Sequence, residues 1–182
     1  MPIIISHAIT SIPVNLGLLG KINTKRLMIL SIIFGLLPDI DGIGFLFGVK
    51  YNSFFGHRGF SHSFLFIAIV SVIFSFLALP KIKIKSKKFF IVFVNFFFIG
   101  SLHIVLDMMT NGGLGLAIFS PFTNHRFFLP WRPIEVSSIL PQHFFALNEL
   151  AVMKFELLFL IIPAIILSVI VYFWKRKVRG VN

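Results

Sequence analysis

The chain is 182 residues long, 57% hydrophobic and 13% charged, with 25 phenylalanines and a mean hydropathy of +0.97. One soluble domain of this length could not hide so much apolar surface, and the chain is far too apolar for disorder, so a single membrane-embedded domain over residues 1–182 is expected. It has no cysteine, which excludes disulfides, iron–sulfur clusters, thiolate zinc sites and cysteine nucleophiles.

A helix needs about 20 apolar residues to span a bilayer. In chain order, Met1–Gly20 carries no Lys, Arg, Asp or Glu, although Pro13 and Asn15 interrupt it. It lacks the basic start and small-residue cleavage site of a signal peptide, and is read as part of the mature protein. Leu27–Pro38 is shorter and ends in Pro-Asp-Ile-Asp. Gly59–Pro80, with a solid core at Phe64–Leu79, is the next uncharged run, followed by Phe89–Leu106 and Leu157–Trp174. Met108–His125 is also uncharged, but Gly112, Gly113, Gly115 and Pro121 break it up, so it reads as a re-entrant or interfacial segment.

The net charge is +11. Such a value can signal nucleic-acid binding, but its distribution points elsewhere. Basic residues gather at Lys21, Lys25 and Arg26, at Lys81, Lys83, Lys85, Lys87 and Lys88, and at Lys175, Arg176, Lys177 and Arg179. Short loops rich in Lys and Arg stay in the cytoplasm. Placing all three groups inside predicts an all-α polytopic helical bundle with about five membrane segments, N-out and C-in. The segments are Met1–Leu19, Leu27–Asp39, Phe64–Leu79, Phe89–Asp107 and Leu157–Trp174. The basic surplus then faces lipid headgroups, the bilayer is the partner, and no nucleic acid is required. All six acids (Asp39, Asp41, Asp107, Glu135, Glu149, Glu156) and all six histidines (His7, His57, His62, His103, His125, His143) fall at the opposite face.

Asp39 and Asp41 sit at i, i+2 in a Pro/Gly turn just past an apolar run. They read as functional carboxylates near the membrane, or as a helix-end cap. His57 and His62 flank Arg58 and Gly59 just before a membrane helix, where Ser61 is placed to cap it. His103 and Asp107 at i, i+4 share one helix face, a spacing suited to two ligands of one metal or to a carboxylate that orients an imidazole. His7 lies near the outer end of the first segment and has the weakest claim to a metal. Together these seven residues come from four segments and map to one face. Histidine and carboxylate without thiolate suit Zn²⁺, Mn²⁺ or Fe²⁺, and their number points to two or more ions and to hydrolysis of phosphate esters or amides. Arg126 and Arg132 stand among aromatics in the segment Ser120–Ile134. There they either grip an anionic lipid headgroup or anchor the interface. Glu149 and Glu156 either join the metal site or are solvated.

The order His7, Leu37-Pro38-Asp39-Ile40-Asp41, His57-Arg58-Gly59-Phe60-Ser61-His62-Ser63, His103-Ile104-Val105-Leu106-Asp107 and Pro130-Trp131-Arg132-Pro133-Ile134 resembles the YdjM family. Those are inner-membrane proteins described as metal-dependent hydrolases, some of them regulated by LexA. The family is in turn distantly similar to zinc-dependent phospholipase C and S1/P1 nuclease, all-helical enzymes with a cluster of zinc ions. The resemblance implies the plasma (inner) membrane and zinc, with manganese as the alternative. It also implies His7, Asp39, His57, His103 and Asp107 as ligands, with Asp41 and His62 as further ligands or the proton-transfer group.

The leading expectation is therefore a membrane-bound metal-dependent hydrolase that acts on a phosphoester or lipid headgroup at the extracytoplasmic face. Asp39, Asp41 or His62 would move protons, and Arg58, Arg126 or Arg132 would hold an anionic group. The absence of His-Glu-x-x-His lowers an intramembrane metalloprotease. The alternatives are a membrane metal-ion binding or transport protein without hydrolytic activity, and a structural membrane protein. A reporter fused to the C-terminus is expected to report a cytoplasmic location; a periplasmic signal would overturn the N-out/C-in path.

Overall fold

A computed structural model of the chain describes residues 4–19, 22, 24–136 and 147–180. His143 lies outside the described residues, and the Glu149 side chain is not among them. The elements are α1 (Ile4–Leu19), α2 (Lys25–Leu36), a 3₁₀ stretch Pro38–Phe47, a 3₁₀ turn Phe60–His62, α3 (Phe64–Ala78), α4 (Lys87–Met108), α5 (Leu147–Glu156), a π turn Leu157–Ile161 and α6 (Ile162–Gly180). Among the described residues there is no strand, only the isolated bridges Thr110–Ile134 and Leu116–Phe127. The all-α expectation holds at that level.

The helix starts are written locally. Thr24, Ser63 and Ser86 each accept a hydrogen bond from the amide three residues on, at Leu27, Phe66 and Phe89, which satisfies one of the free donors of a first turn. The cap of α3 is thus Ser63, and Ser61 is used elsewhere. Pro38 stops α2, because its ring cannot continue the amide ladder. The chain bends by 49° into Pro38–Phe47, which turns Asp39 and Asp41 across the end of the bundle.

Among the described residues, the number of candidate spans is smaller than five on length alone. Lys87–Met108 (22 residues) and Val152–Val178 (27 residues) are long and apolar enough to cross a membrane, and the bent pair Lys25–Leu36 and Pro38–Phe47 makes a third if it counts as one span. Ile5–Leu19 and Phe64–Ala78 are apolar but shorter; at 1.5 Å per residue a 15-residue helix covers only about 22 Å of a ~30 Å hydrocarbon core. Met108–His125 adds no helix beyond the end of α4. Residues 109–136 form an irregular cover pinned by backbone bonds from Leu129 N–H to the Met108 carbonyl, Ala117 N–H to Arg58 and Phe64 N–H to Ile118.

Helices α1 and α2 pack together, as do α3 and α4, while α1 also contacts α4 and α6. The core is Phe34, Ile67, Val92, Phe96, Ile99 and Ile104. Phe34 meets Phe74 and Phe96 with ring centroids 5.0 and 5.2 Å apart. Lys25 and Arg26 open α2, Lys87 and Lys88 open α4, and Lys175 near the end of α6 donates to the carbonyls of Leu16 and Gly17 at 2.6 Å. The basic clusters therefore gather at one end of the bundle. His7 near the start of α1, Asp39 after α2, His62 before α3 and Asp107 at the end of α4 occupy the other.

Close packing of α3 on α4 depends on Gly100, where an added Cβ would lie 2.6 Å from Ile67 Cγ2 and 3.0 Å from Phe34 Cε1. Gly100→Val is expected to cost about 1–3 kcal/mol by overpacking, read as a lower thermal midpoint in detergent, with part of the loss restored by adding Ile67→Ala. An unchanged midpoint would contradict this crossing.

Candidate metal centre

Four side chains from three elements converge. Asp39, His62, His103 and Asp107 each present a ligand atom, all within 4.8 Å of one another. Asp39 Oδ1 lies 3.6 Å from His62 Nε2 and 3.7 Å from His103 Nε2. Asp107 Oδ2 lies 3.4 Å from His62 Nε2 and 4.0 Å from His103 Nε2. His7 closes the group. Its ring stacks on His103 at 3.8 Å, and its Nε2 lies 3.6 Å from Asp107 Oδ1 and 4.0 Å from Asp39 Oδ2.

The imidazoles are aimed from behind. His103 Nδ1 is 2.8 Å from the Gly35 carbonyl oxygen, an acceptor only, so Nδ1 carries the proton and Nε2 turns inward as a lone pair. His62 Nδ1 is 3.1 Å from Asp41 Oδ2, which likewise directs Nε2 to the centre. A partner of this kind fixes tautomer and ring angle in metal sites. Asp41 is saturated: it also meets His57 Nδ1 at 2.6 Å, accepts from the Arg58 amide at 3.0 Å and from Ser61 Oγ at 2.5 Å. Asp41 and His57, both expected among the ligands, thus lie one layer behind the convergence point.

Arg58 is the site's one buried cation among the described residues, 1% exposed. Its backbone is left-handed, with φ 62°, a conformation costly for a residue with a Cβ and concentrated at functional sites. Gly59 follows it, where a Cβ would run into the Phe54 carbonyl. Arg58 Nε donates to Asp107 Oδ2 at 3.2 Å and Nη1 to the Gly112 carbonyl at 3.0 Å. Gly113, at φ 85°, lets the backbone pass, since a Cβ there would lie 2.7 Å from Tyr51 Oη and 3.0 Å from Arg58 Nη1. Nη2 is buried with no hydrogen-bond partner.

With neutral imidazoles, Asp39, Asp41 and Asp107 against Arg58 leave an excess of two negative charges in a buried space. Burying unmatched charge is expensive. Both Asp39 oxygens, Asp107 Oδ1 and both His7 nitrogens also lack any hydrogen-bond partner. Orphaned donors of this chemistry, nitrogen and oxygen without sulfur, fit a divalent cation. Burial alone would lower the His62 imidazole, but the carboxylates of Asp107, Asp39 and Asp41 beside it outweigh this and hold it well above its ordinary value. The carboxylates thus call positive charge to the point where the lone pairs meet.

The other expected residues are placed differently. Arg126 does not face the cluster as a free anion grip. Its Nη1 donates to the carbonyls of His57, Arg58 and Gly115 and its Nη2 to that of Tyr51, at 3.1–3.4 Å. It braces the loop that carries His57 and Arg58, and burial lowers its pKa from the usual guanidinium value. Arg132 is exposed, with its guanidinium 4.8 Å from the Phe128 ring centroid. Exposed Glu135 and His125 are apart from the cluster. Glu156 is neither a member of the four-ligand group nor solvated: it is buried and accepts from Ser6 Oγ at 2.5 Å. Sequence reasoning missed Ser61 as a partner of Asp41 and the Gly35 carbonyl as the support of His103. A backbone carbonyl carries no residue signature, so only the helix crossing reveals it.

The sequence matches the YdjM inner membrane protein family over residues 1–178. It is 32% identical to the inner membrane protein YbcI of Escherichia coli (strain K12) over 177 residues, covering 97% of this chain and 100% of that protein. No solved structure matches.

Asp41→Asn is expected to leave the four ligands in place and weaken divalent-metal affinity by about 10–100-fold, measured by competition with a chromophoric chelator. Wild-type affinity in this variant would contradict the supporting role of Asp41.

Proposed function

The chain belongs to the YdjM family of inner membrane proteins, and from that premise we propose that it is a metal-dependent hydrolase. It acts on a phosphoester or lipid headgroup at the extracytoplasmic face of the membrane, with the chain oriented N-out and C-in. The observation that carries this reading is the convergence of Asp39, His62, His103 and Asp107, with His7 beside them, at the end of the bundle opposite the basic clusters. Zinc fits the donor set, with manganese as the alternative. When bound, a divalent cation polarises a phosphoryl oxygen and makes water a nucleophile near neutral pH.

The chain's own residues divide the remaining work. His62 and His103 offer lone pairs whose direction Asp41 and the Gly35 carbonyl set. Asp39 has one oxygen beside these nitrogens and the other, Oδ2, toward His7, with no hydrogen bond to either. It is the carboxylate placed to take a proton from an attacking water. Asp41, bound to four partners, positions rather than transfers. Arg58 balances Asp107 through Nε and keeps Nη2 unpaired, which suits an anionic oxygen of a phosphoester.

The carrier reading has one observation of its own. Asn15, Ser31 and Asn95 form a buried polar triad between α1, α2 and α4, with Asn15 Nδ2 and Asn95 Nδ2 at 2.8 and 3.1 Å from Ser31 Oγ. Both Asn Oδ1 atoms are unpaired. Asn95 is eight residues before His103, about 12 Å down the helix, where an ion could dwell.

A phosphoester and phospholipid screen of the metal-loaded, detergent-purified protein is expected to show turnover. Arg58→Lys, which keeps the charge toward Asp107 but removes the spare donor, is expected to lower kcat by about 10²–10³-fold with metal content unchanged. Metal flux into vesicles without turnover of any ester would replace the hydrolase by the carrier.

A further inference from the structure

A groove of about 420 Å³ lies between α1, α4 and α6. Its wall is built open. Pro13 interrupts the amide ladder of α1, and Pro163 lacks the amide that would bond to the turn before it. That turn is the π turn Leu157–Ile161, which places Phe159 and Leu160 on the wall, and the small Ala164 follows. π turns inside helices concentrate at functional sites.

The chemistry of the wall selects the occupant. Thr10 carries the only hydroxyl among the described lining residues, and it donates to the His7 carbonyl at 3.2 Å. A water needs two to four polar partners, so this space suits hydrocarbon better than water. The groove also has a direction. At one end Thr10 lies a turn from His7 and Leu102 adjoins His103. There the Ser6–Glu156 hydrogen bond ties α1 to the start of the π turn, a polar boundary above an apolar channel. The other end, at Val14 and Leu167, runs toward the middle of the apolar helices.

We propose that this groove seats one acyl chain of a phospholipid whose phosphate end lies at the metal centre. The substrate class is then a membrane lipid rather than a soluble phosphoester. The assignment of the head end rests on the hydrolase reading; the chain seat does not.

The test uses the full chain in vesicles of phosphatidylethanolamine and phosphatidylglycerol, doped with phosphatidylglycerol bearing a mid-chain diazirine. Illumination and peptide mass spectrometry are expected to place adducts on Val14 and Leu102. Ala164→Trp is expected to lose both, and Val14→Trp to lose the Leu102 adduct. Adducts on Ile166 and Ile170, which are exposed on α6, and the metal content should stay as in wild type and show that the variants fold. Leu102 adducts at wild-type level in both variants, or adducts confined to the exposed face of α6, would overturn the seat. Groove adducts in a wild type that binds no metal would remove the hydrolase and leave the seat standing.

Discussion

Three carboxylates brought into a buried space with one guanidinium call for further positive charge, from a protonated imidazole or from a divalent cation. That constraint organises the molecule. Asp39 arrives because Pro38 ends α2 and bends the chain over the end of the bundle. Asp107 and His103 arrive on the last turns of α4, and His62 in the turn before α3. Arg58 is drawn in by Asp107 even at the cost of a left-handed backbone. The loop around it is then held by Arg126, which ties four carbonyls together. Without a cation, like charges would crowd one point; with one, the orphaned oxygens and nitrogens gain their missing partner.

The lipid environment sharpens this economy. In the hydrocarbon layer no water satisfies stray polar groups, so those that occur are paired between helices or collected at one end of the bundle. Asn15, Ser31 and Asn95 are of the first kind, linking α1, α2 and α4, as polar side chains do in membrane bundles. The cluster at the far end of the helices is of the second kind. The groove beside it joins the two settings, an apolar channel that stops a turn from His7.

Much of the centre was legible in the residues alone. His103 and Asp107 share a helix face by spacing, and Pro-Asp-Ile-Asp and the His57–His62 string supply the rest from flanking turns. What could not be read was the layer each residue would occupy. Asp39 and Asp41 differ by two positions in a turn, and only the bend at Pro38 decides that Asp39 faces inward while Asp41 backs His62. His7 had the weakest claim as a lone histidine, yet stacking on His103 places it at the centre. Arg126 read as an anion grip because an arginine among aromatics suits an interface; its use as a carbonyl brace depends on loops distant in sequence. Uncharged runs suggest five spans, but helix length sets how many of the described helices can cross a membrane. The uncharged run at Met1–Gly20 gives a described helix only from Ile4 to Leu19, and α3 stops at Ala78.

The most direct measurement is the metal content of the detergent-purified chain by plasma mass spectrometry, beside Asp39→Asn and His103→Gln. A bound divalent ion at about one equivalent or more in the wild type, lost in both variants while their thermal midpoints persist, is the predicted result. A folded wild type that carries no metal after growth in metal-supplemented medium would contradict the centre and the hydrolysis built on it.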